Sequence, residues 1–182
     1  MNTFSLNCIT SKLIPQNGHV RFLGVFAADK IPDCAATTRA TASCFVANTD
    51  PAHKAGQHWV AFYMPPSPAR LEFFDSYGLT PGDYAFPHLP PEEHIFANRA
   101  VLQGLTSDVC GHYCMIYLLL RSRGATLFQV CGWLASIRPA SRDNFIRSAA
   151  VTIASRVGNC AVDCDNCAPG NQCCGARAEM HK

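Results

Sequence analysis

The stretch Cys110–Arg121 (CGHYCMIYLLLR) constrains this 182-residue chain more than any other. It is apolar nearly all round, so as a helix it must be enclosed by other elements rather than lie on a surface. Its longest unbroken apolar run, Cys114–Leu120, is seven residues, against the ~18 that a membrane span needs. The helix therefore calls for a protein interior. Ser107 or Asp108 is the expected cap of its first turn and Gly124 its stop. A chain of this size buries about 70% of its unfolded surface. With 48% hydrophobic and 15% charged residues, it is not disordered by composition.

What encloses the helix is legible upstream. Val20–Phe26 (VRFLGVF), Ser43–Ala47 (SCFVA), His58–Met64 (HWVAFYM) and Leu71–Asp75 (LEFFD) are rich in aromatic and β-branched residues and predict strands. The short proline-rich link between the last two suits a hairpin-like pair. Residues 79–91 carry Pro81, Gly82, Pro87, Pro90 and Pro91 and predict a loop. Downstream, Leu127–Ile137 and Ser141–Val157 show helical spacing. The expected class is α+β, a mostly antiparallel sheet packed on a buried helix. The domain spans residues 1–157, followed by a Cys-rich tail, 158–182. Met1–Gln16 lacks a basic opening followed by an apolar stretch, so an intracellular, non-secreted protein without a membrane anchor is expected.

The net charge of +2 hides an uneven distribution. Residues 72–110 are acidic, whereas Arg121, Arg123, Arg138, Arg142, Arg147 and Arg156 face only Asp143 within residues 111–156. The first five are candidate DNA contacts, since phosphate neutralisation supplies most non-specific nucleic-acid affinity. Solvated helix faces are the plainer reading.

The chemistry lies in the order His58, Asp75, Gln103, Cys110. Cys110 stands at the start of the buried helix, where unpaired N–H groups and the helix dipole favour a thiolate. His58 opens one strand and Asp75 closes the next. Antiparallel pairing puts the carboxylate beside one imidazole nitrogen and leaves the other for the sulfur. Gln103, in a turn-rich stretch, offers an amide to a developing oxyanion together with the Cys110 backbone N–H.

These residues fall in three motifs: Gly56-Gln-His-Trp-Val-Ala-Phe62, Phe73-Phe-Asp-Ser-Tyr-Gly78, and Gln103-Gly-Leu-Thr-Ser-Asp-Val-Cys-Gly-His-Tyr-Cys114. Together with Phe22–Phe26 they resemble the adenovirus endopeptidase (adenain) family of cysteine proteases, within the wider group of ubiquitin-like-protein-specific proteases. The resemblance covers roughly residues 20–157. It implies a papain-like, adenain-type fold, with His58 as general base, Asp75 as its orienter, Cys110 as nucleophile and Gln103 as oxyanion donor. Trp59 would flank the imidazole at the substrate. The adenovirus enzymes usually carry Glu where this chain has Asp75, and the wider group carries Asp.

The resemblance further implies an endopeptidase that cleaves next to glycine, with structural precursor proteins of a virion or DNA transposon as substrates. Host nucleus and virion would be its locations and DNA a stimulant. A monomer is expected. No cofactor is required for the chemistry. Residues 89–102 contain no cysteine to which an activating peptide would attach. The same residues suit removal of ubiquitin or SUMO-like modifiers. A DNA-binding protein built on the arginine helices is the reading from another class.

The tail concentrates Cys160, Cys164, Cys167, Cys173 and Cys174. Three readings stand open: a zinc site, a redox-active tail, and disulfide links to the body. Cys114 and Cys131 are expected to be buried helix residues.

Overall fold

The strands and the apolar helix assemble as layers in the computed structural model, which describes residues 1–14, 18–34 and 40–157. The cysteines of the tail lie outside the described residues. The chain runs α1 (Thr3–Leu13), β1 (Val20–Phe26), β2 (Ala42–Asn48), β3 (Trp59–Met64), β4 (Leu71–Phe74), β5 (Ile95–Ala97), α2 (Cys110–Ser122), α3 (Leu127–Ser136) and α4 (Pro139–Val157), with short 3-10 turns between. This is an α+β fold with a five-stranded sheet in the order β1-β2-β3-β4-β5.

The sheet is mixed rather than mostly antiparallel. β2–β3 and β3–β4 are antiparallel, but β1–β2 and β4–β5 are parallel. The sequence between β1 and β2 and between β4 and β5 is long enough for the crossovers that parallel neighbours require. Strand composition reports a pleated, half-buried surface and is silent on direction.

β3 is buried on both faces, and its alternation separates two cores. Ala61 and Tyr63 join Val46, Phe74 and the inward side of α2, including Tyr113, Cys114 and Tyr117. Val60, Phe62 and Met64 face the other way, with Phe45, Leu71 and Phe73. That second face is covered by chain without regular helix: Tyr84, Phe86 and Leu89 of the 79–91 loop pack on it. The prolines make this segment a loop, and its aromatic residues make it a lid on the sheet.

α2 is enclosed as its composition requires, with Tyr113, Cys114, Met115, Tyr117 and Leu118 fully buried. Its cap differs from expectation. Val109 is the N-cap and makes no side-chain cap bond, so neither Ser107 nor Asp108 competes for the first-turn N–H groups. At the other end Gly124, at φ +97°, closes a Schellman turn, with Ala125 N–H donating to Leu120 O at 3.2 Å and Gly124 N–H to Arg121 O at 3.1 Å. α1 has no counterpart in the sequence reading. Asn2 Oδ1 caps it by accepting from Ser5 N–H at 2.9 Å, and only a narrow apolar stripe, Leu6 and Ile9, enters the core. α4 starts two residues earlier than its spacing suggests, with Pro139 at its first turn, where a missing N–H costs nothing.

Candidate active site

The register of the β3–β4 hairpin brings His58 to Asp75. Ala61 pairs with Phe74, which carries His58, just before β3, to the level of Tyr77 and beside Asp75, just after β4. His58 Nε2 lies 2.7 Å from Asp75 Oδ1. The remaining ring nitrogen, Nδ1, is the one left to hydrogen-bond the Cys110 thiol. His58, Asp75 and Cys110 are 7%, 0% and 7% exposed, so the charges face one another with little water between them.

Burial alone would push the imidazole down. The Asp75 hydrogen bond and charge, with those of Cys110, outweigh it and raise the His58 pKa to about 9. Burial would likewise push the Cys110 thiol up. The His58 hydrogen bond and charge, and the backbone groups of Trp59 and Gly111, outweigh that and leave it lowered. Both shifts favour a thiolate–imidazolium pair. The uncapped start of α2 works in the same direction, because its N–H groups remain available to the sulfur. By contrast, burial pushes Cys44 and Cys131 up to about 12 and Cys114 well above the ordinary thiol value. Cys114, one turn along, donates its thiol to Trp59 O at 3.2 Å.

Asp75 is held from every side. Oδ1 also accepts Tyr77 N–H at 2.9 Å, and Oδ2 accepts the Tyr84 hydroxyl at 2.8 Å. The Asn98 side chain grips its main chain, accepting Asp75 N–H and donating to Asp75 O, both at 2.8 Å. The Tyr77 ring stacks on the His58 imidazole with centroids 4.6 Å apart. Tyr77, Tyr84 and Asn98 have no signal in the sequence reading. Tyr77 becomes legible once the hairpin register places it opposite His58; Tyr84 and Asn98 arrive from irregular or short segments whose placement no local pattern encodes.

Gln103 joins the same cluster, 2% exposed. Its Oε1 accepts the Ser76 hydroxyl at 2.7 Å. Nε2 donates to Ser107 O at 2.6 Å and, more loosely, to the Tyr77 hydroxyl at 3.3 Å. Both Nε2 hydrogens thus have acceptors, the Tyr77 bond being the longer. Trp59 follows His58 directly. A Cβ on Gly111 would stand 3.3 Å from Trp59 Cδ1, so the glycine after Cys110 is what lets the indole lie against the start of α2.

The five arginines separate. Arg121 makes a bidentate pair with Glu72, Nε at 2.7 Å and Nη2 at 2.9 Å, and lies 4.0 Å over the Tyr63 ring. Arg142 is 6% exposed, its guanidinium spent on backbone carbonyls that include Leu102 O and Ile137 O at 2.9 Å. Both are structural rather than open to phosphate, which a list of charges along the chain cannot reveal. Arg147 pairs with Asp108. Arg123 and Arg138 are exposed.

Among the described residues no cluster of His, Cys, Asp and Glu suits a metal ion, and no helix is long and apolar enough to cross a membrane. The sequence has no significant match to any protein-family model or curated protein.

Proposed function

We propose that the chain is a cysteine endopeptidase of papain-like, adenain type. One observation carries the reading: Cys110, at the start of α2, has its pKa lowered by His58, whose Nε2 is held 2.7 Å from a fully buried aspartate.

The Cys110 thiolate attacks the carbonyl carbon of the scissile bond, forming the C–S bond. Negative charge moves to the carbonyl oxygen, which takes hydrogen bonds from Gln103 Nε2 and the backbone at the start of α2. The His58 imidazolium gives its Nδ1 proton to the leaving nitrogen, the C–N bond breaks and the amine departs. A thioester remains. Water then yields a proton to His58 as its oxygen adds to the acyl carbon; the C–S bond breaks, and thiolate and imidazolium are restored. Asp75 keeps the ring oriented and stabilises its charge throughout.

The resemblance in the three motifs supports glycine beside the cleaved bond, precursor proteins of a virion or related DNA transposon as substrates, and action in the host nucleus. Exposed Arg123 and Arg138 support DNA stimulation. The test is hydrolysis of a fluorogenic peptide ending in Gly-Gly, with and without DNA, by wild type and Cys110→Ala. Cleavage by wild type alone is expected; equal activity in Cys110→Ala would overturn the reading. Capsid precursors set against ubiquitin-like fusions separate maturation from modifier removal.

A further inference from the structure

Gln103 sits in a segment without helix or strand, yet its main chain is fastened on both sides. Leu102 O, just before it, accepts from Arg142 Nη1 at 2.9 Å and lies 3.1 Å from the Tyr113 hydroxyl. Gly104 N–H, just after it, donates to Asp143 Oδ2 at 3.0 Å. The same Tyr113 hydroxyl donates to Asp143 Oδ1 at 2.8 Å, so the two fastenings are joined to each other. Leu102 N–H and Gln103 N–H both donate to Ser76 O, at 2.8 and 3.0 Å, next to Asp75. Arg142 reaches the end of α3 as well, donating to Ala135 O at 3.2 Å and Ile137 O at 2.9 Å.

A buried guanidinium and a half-buried carboxylate are a costly way to pack a loop, since a charge taken out of water must be repaid by its hydrogen bonds. What polar groups add is fixed geometry. An oxyanion donor acts only when its N–H is aimed before the charge develops, and a shift near 1 Å can cost about 100-fold in rate.

We propose that Arg142, Asp143 and Tyr113 are positioning residues that hold the Gln103 amide at the oxyanion site. The role rests on the protease reading. It also gives α4 a function at its first turn: the helix delivers neighbouring residues to opposite sides of one catalytic glutamine.

The test is steady-state kinetics on the Gly-Gly peptide for Asp143→Ala, Asp143→Asn and Tyr113→Phe, each alone and combined with Gln103→Ala. With Gln103 present, kcat is expected to fall about 10- to 100-fold in Asp143→Ala, with KM changed less than about twofold. Asp143→Asn, which keeps an acceptor for Gly104 N–H, should recover part of the loss. In the Gln103→Ala background the same changes should cost nothing further, because the group they position is gone. Multiplicative losses in that background, or an unchanged kcat in Asp143→Ala, would overturn the proposal. Circular dichroism checks folding, and should Asp143→Ala fail to fold, Tyr113→Phe carries the same comparison. Wild-type cleavage abolished by Cys110→Ala would leave the protease reading standing whatever the Asp143 variants do; a wild type that cleaves nothing would remove both.

Discussion

The hydroxyl of Tyr84 donates to Asp75 Oδ2 at 2.8 Å, although Tyr84 belongs to a loop and Asp75 to the end of a strand. The carboxylate is fully buried, so each donor to it replaces a hydrogen bond that water would otherwise supply. Tyr84→Phe keeps the ring contacts to Phe73 and Phe86 and removes only the donor. Stability should fall by about 1–3 kcal/mol, the cost of leaving a buried acceptor short of a partner. Urea unfolding checks this, and kcat/KM should drop alongside as the His58 orientation loosens.

Alkylation should single out Cys110. Of Cys44, Cys110, Cys114 and Cys131, only Cys110 has its pKa lowered, and the other three are raised by burial. Iodoacetamide at about pH 6, well below the ordinary thiol pKa of about 8.5, should therefore label Cys110 first among these four. Peptide mapping by mass spectrometry reads the site. His58→Ala removes the groups that hold the thiolate and should slow that labelling by at least about tenfold.

The pH profile follows from the same pair. A His58 pKa raised to about 9 keeps the imidazole protonated across neutral pH, as the proposed protonation of a leaving amine requires. Raising pH through that value removes the acid, so the alkaline limb of kcat/KM should fall near 9. The acid limb lies where the Cys110 thiolate takes up a proton, below the ordinary thiol range. Asp75→Asn removes the hydrogen-bonding charge that raises His58, so the alkaline limb should move down toward about 6.5. A limb that stays near 9 would mean another group sets it.

Much of this site was legible because its members sit at ends of strongly patterned elements. The strands around His58 and Asp75 and the apolar helix from Cys110 declare themselves by composition, and their pairing brings the ends together. Strand direction did not show, since parallel and antiparallel neighbours draw on the same residues, and β5, only Ile95–Ala97, is too short to carry a period. Tyr84 and Asn98 reach Asp75 through tertiary placement alone. Arg121 and Arg142 look like surface charge in the sequence. They turn inward because α2 brings Arg121 to Glu72 on the central sheet and α4 brings Arg142 to open carbonyls at the end of α3.

Arg121 and Arg138 should accordingly respond differently to removal. The Arg121–Glu72 side chains are 15% and 13% exposed. That lies between an exposed pair, at roughly 0–1 kcal/mol, and a fully buried one, whose rupture costs roughly 3–5 kcal/mol. Arg121→Ala should then destabilise by about 2 kcal/mol, while exposed Arg138→Ala stays within about 0.5 kcal/mol. DNA binding should show the reverse order. Arg123→Ala with Arg138→Ala should lower the salt slope by roughly 1–2 phosphate contacts, measured by fluorescence anisotropy across a salt series.

Gly78 closes the turn that follows Asp75, with its N–H donating to Asp75 O at 2.9 Å. Its φ is +73°, and a Cβ there would stand 2.9 Å from Arg99 O and 3.0 Å from Ala100 O. Gly78→Ala therefore meets two costs: a left-handed conformation, about 1–2 kcal/mol for an L-residue, and a collision with backbone that cannot rotate away. Relief must come by shifting residues 99–100 or the turn itself, which holds Tyr77 against His58 and Ser76 against Gln103. Gly124 supplies the control, at φ +97° with nothing within 4 Å of its Cβ position. Gly124→Ala should lose about 1–2 kcal/mol of stability with kcat unchanged. Gly78→Ala should lose more stability and also lower kcat by at least about tenfold, because the displaced turn carries Tyr77 and Ser76 of the proposed site. Thermal melts and peptide hydrolysis on the two variants side by side separate backbone strain from damage to the site.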